Sequence, residues 1–151
     1  MPSMVRAAAL RLLGRRDYTR AELRQKLTAR GYRESDIEET LEQLSVDGTV
    51  DDRRAAATHV RLAAHVKGRG RIRMERELLA RGIAGDVAAE ALAALSEDDE
   101  VAALKRVLAR KRVPARMSMA ERHRIFQQLL RRGFRADVIA QVLKMGRGET
   151  E

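Results

Sequence analysis

Cysteine is absent from the chain, which excludes disulfides, thiolate nucleophiles and most zinc sites. Aromatic residues are scarce: two tyrosines, two phenylalanines and no tryptophan. Proline occurs only twice. No stretch alternates polar and apolar β-branched residues, so no strands are expected. No segment approaches the roughly 18 apolar residues needed to span a membrane. Arg11 interrupts the apolar run nearest the N-terminus, so that run does not read as a secretory signal. The chain is expected to be soluble and cytoplasmic, without a membrane partner.

What is present is alanine, leucine, arginine and glutamate in a chain of 151 residues, a composition that favours helices. The formal charge is +9 and is unevenly spread. Basic residues exceed acidic ones by one over residues 1–48, by none over 49–99 and by eight over 100–151. Such asymmetry suggests an anionic partner at the C-terminal end, although an arginine-rich solvated face would give the same count.

Three near-copies of one hexapeptide stand out: LTARGY (27–32), LLARGI (78–83) and LLRRGF (129–134). Gly31, Gly82 and Gly133 are spaced 51 residues apart. Each suits a helix stop, in which the residue after the cap takes a left-handed backbone that glycine adopts cheaply. The apolar pairs Leu27/Tyr32, Leu78/Ile83 and Leu129/Phe134 fit the contact that accompanies such a stop. The period continues in both directions. Leu23, Met74 and Ile125 align upstream, and Leu41, Leu92 and Leu143 downstream. Ser35, Asp86 and Asp137 align as candidate N-caps, and Thr19/Glu22, Ser35/Glu38 and Ser118/Glu121 spell capping boxes.

The predicted fold is therefore all-α: an elongated array of three tandem three-helix repeats, about nine helices in all. The units run over residues 1–48, 49–99 and 100–146, with a tail at 147–151. The predicted helices span 4–14, 20–30 and 35–46, then 52–66, 71–81 and 86–96, then 99–112, 119–132 and 136–145. A unit of about 50 residues buries too little surface to stand comfortably alone, and stacking is the usual remedy.

Catalytic chemistry finds no constellation. His59 and His65 are six residues apart, which does not stack them on one helix face, and His123 stands alone. The glycines of GRG (68–70) lack the lysine and serine or threonine of a phosphate loop. Asp51, Asp52 and the run Glu97–Glu100 lie at predicted helix starts, where the helix dipole favours them. No catalytic residue, metal site or cofactor is expected, and the chain does not read as an enzyme.

Three helices with a glycine turn suggest a helix-turn-helix, but the charge opposes that use. The would-be recognition helix of the first unit carries Glu34, Asp36, Glu38, Glu39 and Glu42, and the second unit's has no lysine or arginine. The candidate binding cations lie elsewhere. One cluster is Lys67, Arg69, Arg71 and Arg73, on a loop whose free amides would suit phosphates or carboxylates. The other comprises Lys105, Arg106, Arg110, Lys111, Arg112, Arg116, Arg122, Arg124, Arg131 and Arg132. Phosphates or an acidic protein groove would satisfy either.

Several segments carry a family likeness: LGRRDYTRAELRQKLTARGY (13–32), GTVDDRRAA (48–56), KGRGRIRMERELLARGI (67–83) and RIFQQLLRRGFRADVIAQVL (124–143). In their order they resemble the RecX family, regulators of the bacterial recombinase RecA. The resemblance covers nearly the entire chain. It implies a protein of recombination, DNA repair and the SOS response, bound as a monomer along the groove of the RecA–single-stranded DNA filament. There it would restrain ATPase, strand-exchange and co-protease activities. Two departures stand out. Family members usually carry an aromatic–alanine pair where this chain has Ala55 and Ala56, which is expected to thin the packing there. The chain also begins close to its first repeat, whereas many relatives have a longer leader. Two other readings compete: a stand-alone protein binding single- or double-stranded DNA through its basic third unit, and a scaffold that docks a helical partner on Phe126 and Leu130.

Overall fold

The computed structural model of the protein describes residues 2–145. Among them the chain forms nine helices and no strand: α1 (Pro2–Leu13), α2 (Arg20–Ala29), α3 (Glu34–Val46), α4 (Asp52–His65), α5 (Arg71–Ala80), α6 (Gly85–Ala93), α7 (Glu97–Lys111), α8 (Met119–Arg131) and α9 (Ala136–Leu143). The predicted tail at 147–151 lies outside the described residues.

Helix starts follow the capping rules where a hydroxyl is available. Thr19 with Glu22 and Ser118 with Glu121 both close capping boxes. A further box, Ser96 with Asp99, begins α7 at Glu97, two residues ahead of the expected start. The candidate N-caps Ser35, Asp86 and Asp137 are overturned. The caps are Arg33, Ala84 and Arg135, none with a side-chain bond to the helix. The cap positions are held by arginine or alanine, which have no side-chain oxygen to accept from the first turn. Ser35, Asp86 and Asp137 then lie inside the first turn, where the two aspartates complement the dipole without capping. The proposed box at Ser35 also fails: Glu38 instead accepts from Arg24 Nε at 2.5 Å.

The glycine stops form as expected. Gly31, Gly82 and Gly133 have φ of +87°, +81° and +92°. The following N–H groups of Tyr32, Ile83 and Phe134 reach back to Leu27, Leu78 and Leu129 carbonyls at 3.4, 3.1 and 3.3 Å. The aligned leucines occupy matching environments in three separate cores. Leu23, Leu27 and Leu41 belong to the first, Met74, Leu78 and Leu92 to the second, and Ile125, Leu129 and Leu143 to the third. Phe126 lies inside the third core and Leu130 packs against it, so neither forms an outward docking surface.

The units meet at joints built from the glycine stops. At the first joint Thr19 Oγ1 donates to the Arg81 carbonyl at 2.7 Å, and Arg81 Nη2 pairs with Glu22 Oε1 at 3.0 Å. Gly82 lies so close to Ala21 that a methyl group on it would collide. At the second joint Gly70 and Ile72 N–H groups donate to the carbonyls of Arg132 and Gly133 at 2.9 and 3.0 Å. Gly133 lies against Arg73, and Gly70 against the backbone of Gly133 and Phe134. Gly31, in the first of the described units, has nothing within 4 Å of where a Cβ would be. So the repeated glycine performs two tasks at Gly82 and Gly133, stopping a helix and admitting the preceding unit, and among the described residues only the first of them at Gly31.

Candidate functional site

The structure divides the fourteen candidate cations into those engaged by other residues, mostly between units, and those left outward. Arg71 Nη1 and Nη2 donate to the Leu92 and Leu95 carbonyls at 2.8 and 2.5 Å, while its Nε pairs with Glu100. Glu100 is only 3% exposed and also accepts from Arg135 Nη2 at 2.9 Å. Arg106 and Arg110, on one face of α7, reach the Ala64 and Val66 carbonyls at the end of α4, at 3.5 and 3.3 Å. Cations there complement the negative end of the helix. Arg132 reaches the Gly68 carbonyl at 3.4 Å, Arg69 pairs with Glu77, and Arg73 packs on Gly133.

The expectation of free amides in the 67–70 loop is overturned. The N–H groups of Lys67, Arg69 and Gly70 donate to the carbonyls of Leu62, Ala63 and Arg132. The loop is spent on ending α4 and receiving the third unit.

The outward group is Lys67, Lys105, Arg112, Arg116, Arg124 and Arg131, all exposed and without an ion-pair partner among the described residues. Lys111 is exposed too and donates to Gln128 Oε1 at 3.2 Å. Arg122 is half-buried, with its Nε unpartnered. Apart from Lys67, these belong to the third unit. Unpaired cations there keep their full charge for an anion, whereas several of the first unit are paired. Arg20 and Arg24, for example, pair with Glu38 and Glu42 on α3. The acidic α3 is therefore tied to α2.

Sequence reasoning misses a cleft of about 640 Å³ between the first two units, lined by Asp17, Ala55, His59, Leu62, Glu77 and Arg81 among others. Ala55 forms part of its wall. His59 Nε2 and Glu77 Oε1 face one another at 3.8 Å, and neither has a hydrogen-bond partner. Burial lowers the His59 pKa, with Glu77 opposing. Unfolded chains then bind the proton first as pH falls through about 6.5. Stability is therefore expected to decline from pH 7 toward pH 5, and His59→Gln should flatten that slope in urea titrations. Among the described residues no group of three or more His, Cys, Asp or Glu could hold a metal ion, and no helix is long and apolar enough to cross a membrane.

Comparison with known proteins gives a consistent result over the whole array. Residues 6–44, 51–92 and 97–143 match the first, second and third three-helix domains of RecX. The regulatory protein RecX of Halorhodospira halophila is 42% identical over 141 residues, spanning 89% of this chain and 83% of that protein. That of Chromobacterium violaceum is 36% identical over 94% of this chain and 90% of its own length. In fold, the crystal structure of RecX from Lactobacillus salivarius superposes with a TM-score of 0.83 at 24% identity, covering 95% of this chain and 94% of that one.

Proposed function

This chain belongs to the RecX family of regulatory proteins, and on that premise we propose that it regulates a RecA filament by binding along it, without enzymatic chemistry of its own. The observation that carries this reading is the whole-chain match to all three RecX domains. The architecture supports it. Three similar units in series offer similar surfaces at intervals, so weak contacts to successive protomers add through effective concentration. The exposed cations of the third unit give one end an affinity for filament DNA or acidic recombinase loops. Binding restrains ATPase, strand-exchange and co-protease activities. The experiment is an ATPase and strand-exchange assay with purified recombinase on single-stranded DNA. Substoichiometric protein lowers both rates, and unchanged rates would refute the reading.

A second reading, direct binding to naked DNA, draws on the unpaired cations Lys105, Arg112 and Arg116. It predicts salt-steep binding without recombinase. Replacing all three by alanine removes three phosphate contacts, which reduces the log–log salt slope on single strands by about two. Fluorescence anisotropy over a salt series checks this. A slope unchanged by the triple substitution excludes these residues from DNA contact.

A further inference from the structure

Both halves of the first joint recur, without a partner among the described residues, near opposite ends of the array. One half of that joint is a helix start, Thr19-Arg20-Ala21-Glu22. The other is a glycine stop, Arg81-Gly82. The hydroxyl of Thr19 donates to a turn carbonyl, Glu22 pairs with Arg81, and the small Ala21 admits Gly82. Burial works against the Glu22 carboxylate, yet hydrogen bonds from Arg81 and from the Thr19 N–H outweigh it and lower its pKa. The joint is thus charge-assisted.

At the N-terminal end, Arg30-Gly31 repeats the glycine stop with nearly the same backbone, φ +87° against +81°. Arg30 is exposed and has no ion-pair partner among the described residues. At the other end, Ser118-Met119-Ala120-Glu121 repeats the helix start. Its cap has φ −65° and ψ 162°, against −74° and 162° at Thr19, and the same reciprocal box closes it. Ser118 Oγ accepts from Glu121 N–H, as Thr19 Oγ1 does from Glu22, but has no acceptor for its own proton among the described residues. The matching start of α7, Ser96-Glu97-Asp98-Asp99, has an aspartate where alanine is needed. Those of α2 and α5 are already filled.

The register of α8 sets its start apart. The helix has 13 residues where its counterparts α2 and α5 have 10, and the added turn is at its beginning. That turn carries Ser118, Met119 and Ala120, all exposed, with Met119 at 49%. The longer helix carries the docking sequence outward, past the position where an internal joint would lie.

We propose that a second copy of this chain docks there: the Ser118–Glu121 helix start of one molecule receives the Arg30-Gly31 turn of the next. Ser118 donates to the Arg30 carbonyl, Glu121 pairs with the Arg30 guanidinium, and Ala120 faces Gly31. The contact is heterologous, so it adds molecules in a line without closing a dimer. It is small, so the monomer is its dilute limit. The inference concerns copies of this chain alone and does not depend on RecA.

Sedimentation velocity over a concentration series tests it. The wild type gains average mass above 17.0 kDa as concentration rises. Arg30→Glu blocks the turn and Ala120→Arg blocks the helix start, each at an exposed position that the fold does not need. Each variant alone sediments as a monomer. Mixed, they pair through the intact start of the first and the intact turn of the second, and growth stops at dimers. That mixture also shows that both variants are folded. A wild type that stays monomeric at its highest soluble concentration overturns the proposal. So do variants that associate as the wild type does, or a mixture of folded variants that does not pair.

Discussion

Glu100→Ala is expected to destabilise the protein by about 3 kcal/mol, the low end for breaking a buried ion pair. The carboxylate is almost fully buried and lies between two guanidiniums, Arg71 on α5 and Arg135 before α9. Removing it leaves Arg71 inside the second joint with only the Leu92 and Leu95 carbonyls for company. The low end applies because Arg71 and Arg135 side chains are 26% and 38% exposed, and water recovers part of the loss. The midpoint of thermal unfolding should fall by about 10 °C at this chain length. Glu100→Gln keeps an acceptor for Arg71 and loses the charge, so its cost should be intermediate. A loss below about 1 kcal/mol in urea titrations of the alanine variant would mean that the triad is ordinary surface electrostatics.

The second large effect separates three glycines that the sequence makes hard to tell apart in importance. Gly31→Ala meets no neighbour, so its cost is the left-handed backbone alone, about 1 kcal/mol. Gly133→Ala carries that cost and also drives a methyl group into the backbone of Arg73. Gly70→Ala has an ordinary φ of −85°, so its cost comes entirely from the collision with Gly133 and Phe134. Overpacking of this kind costs about 1–3 kcal/mol. The expected order of unfolding midpoints is Gly31→Ala highest, then Gly70→Ala, then Gly133→Ala. Equal losses at Gly31 and Gly133 would show that the joint yields to the added methyl group.

What can be read from the bare chain is what happens locally. Each glycine stop is decided within six residues, and each core leucine by its spacing from that stop, so the three-unit plan emerges from the 51-residue period. The joints are different, because each pairs residues far apart in the chain. Arg71 and Arg81 look like surface cations until Glu100 and Glu22 arrive from other units. One signal for Glu100 was present. Ala103, Leu104 and Val107 are the buried stripe of α7, and Glu100 continues it at i, i+3, i+4 and i+7 spacing. Within the run Glu97–Glu100, helix phase alone singles out the acid that turns inward. The helix restarts after Arg33, Ala84 and Arg135 were illegible for another reason: the cap residues have no capping oxygen, and the nearest residues that carry one lie inside the first turn. The cleft beside His59 depends on how two units are set against each other, which no local pattern encodes.

The interior of this protein is divided among three cores, with polar joints between them. Such a molecule does not have to melt all at once. Opening a terminal unit exposes one cluster of leucines and breaks one joint, while the other units keep theirs. Amide exchange should therefore come in tiers, slowest in α4 to α6, which are held from both sides. If the protein binds along a filament as proposed above, the same division would let it peel away one unit at a time, with release from one end beginning well before the last contact is lost.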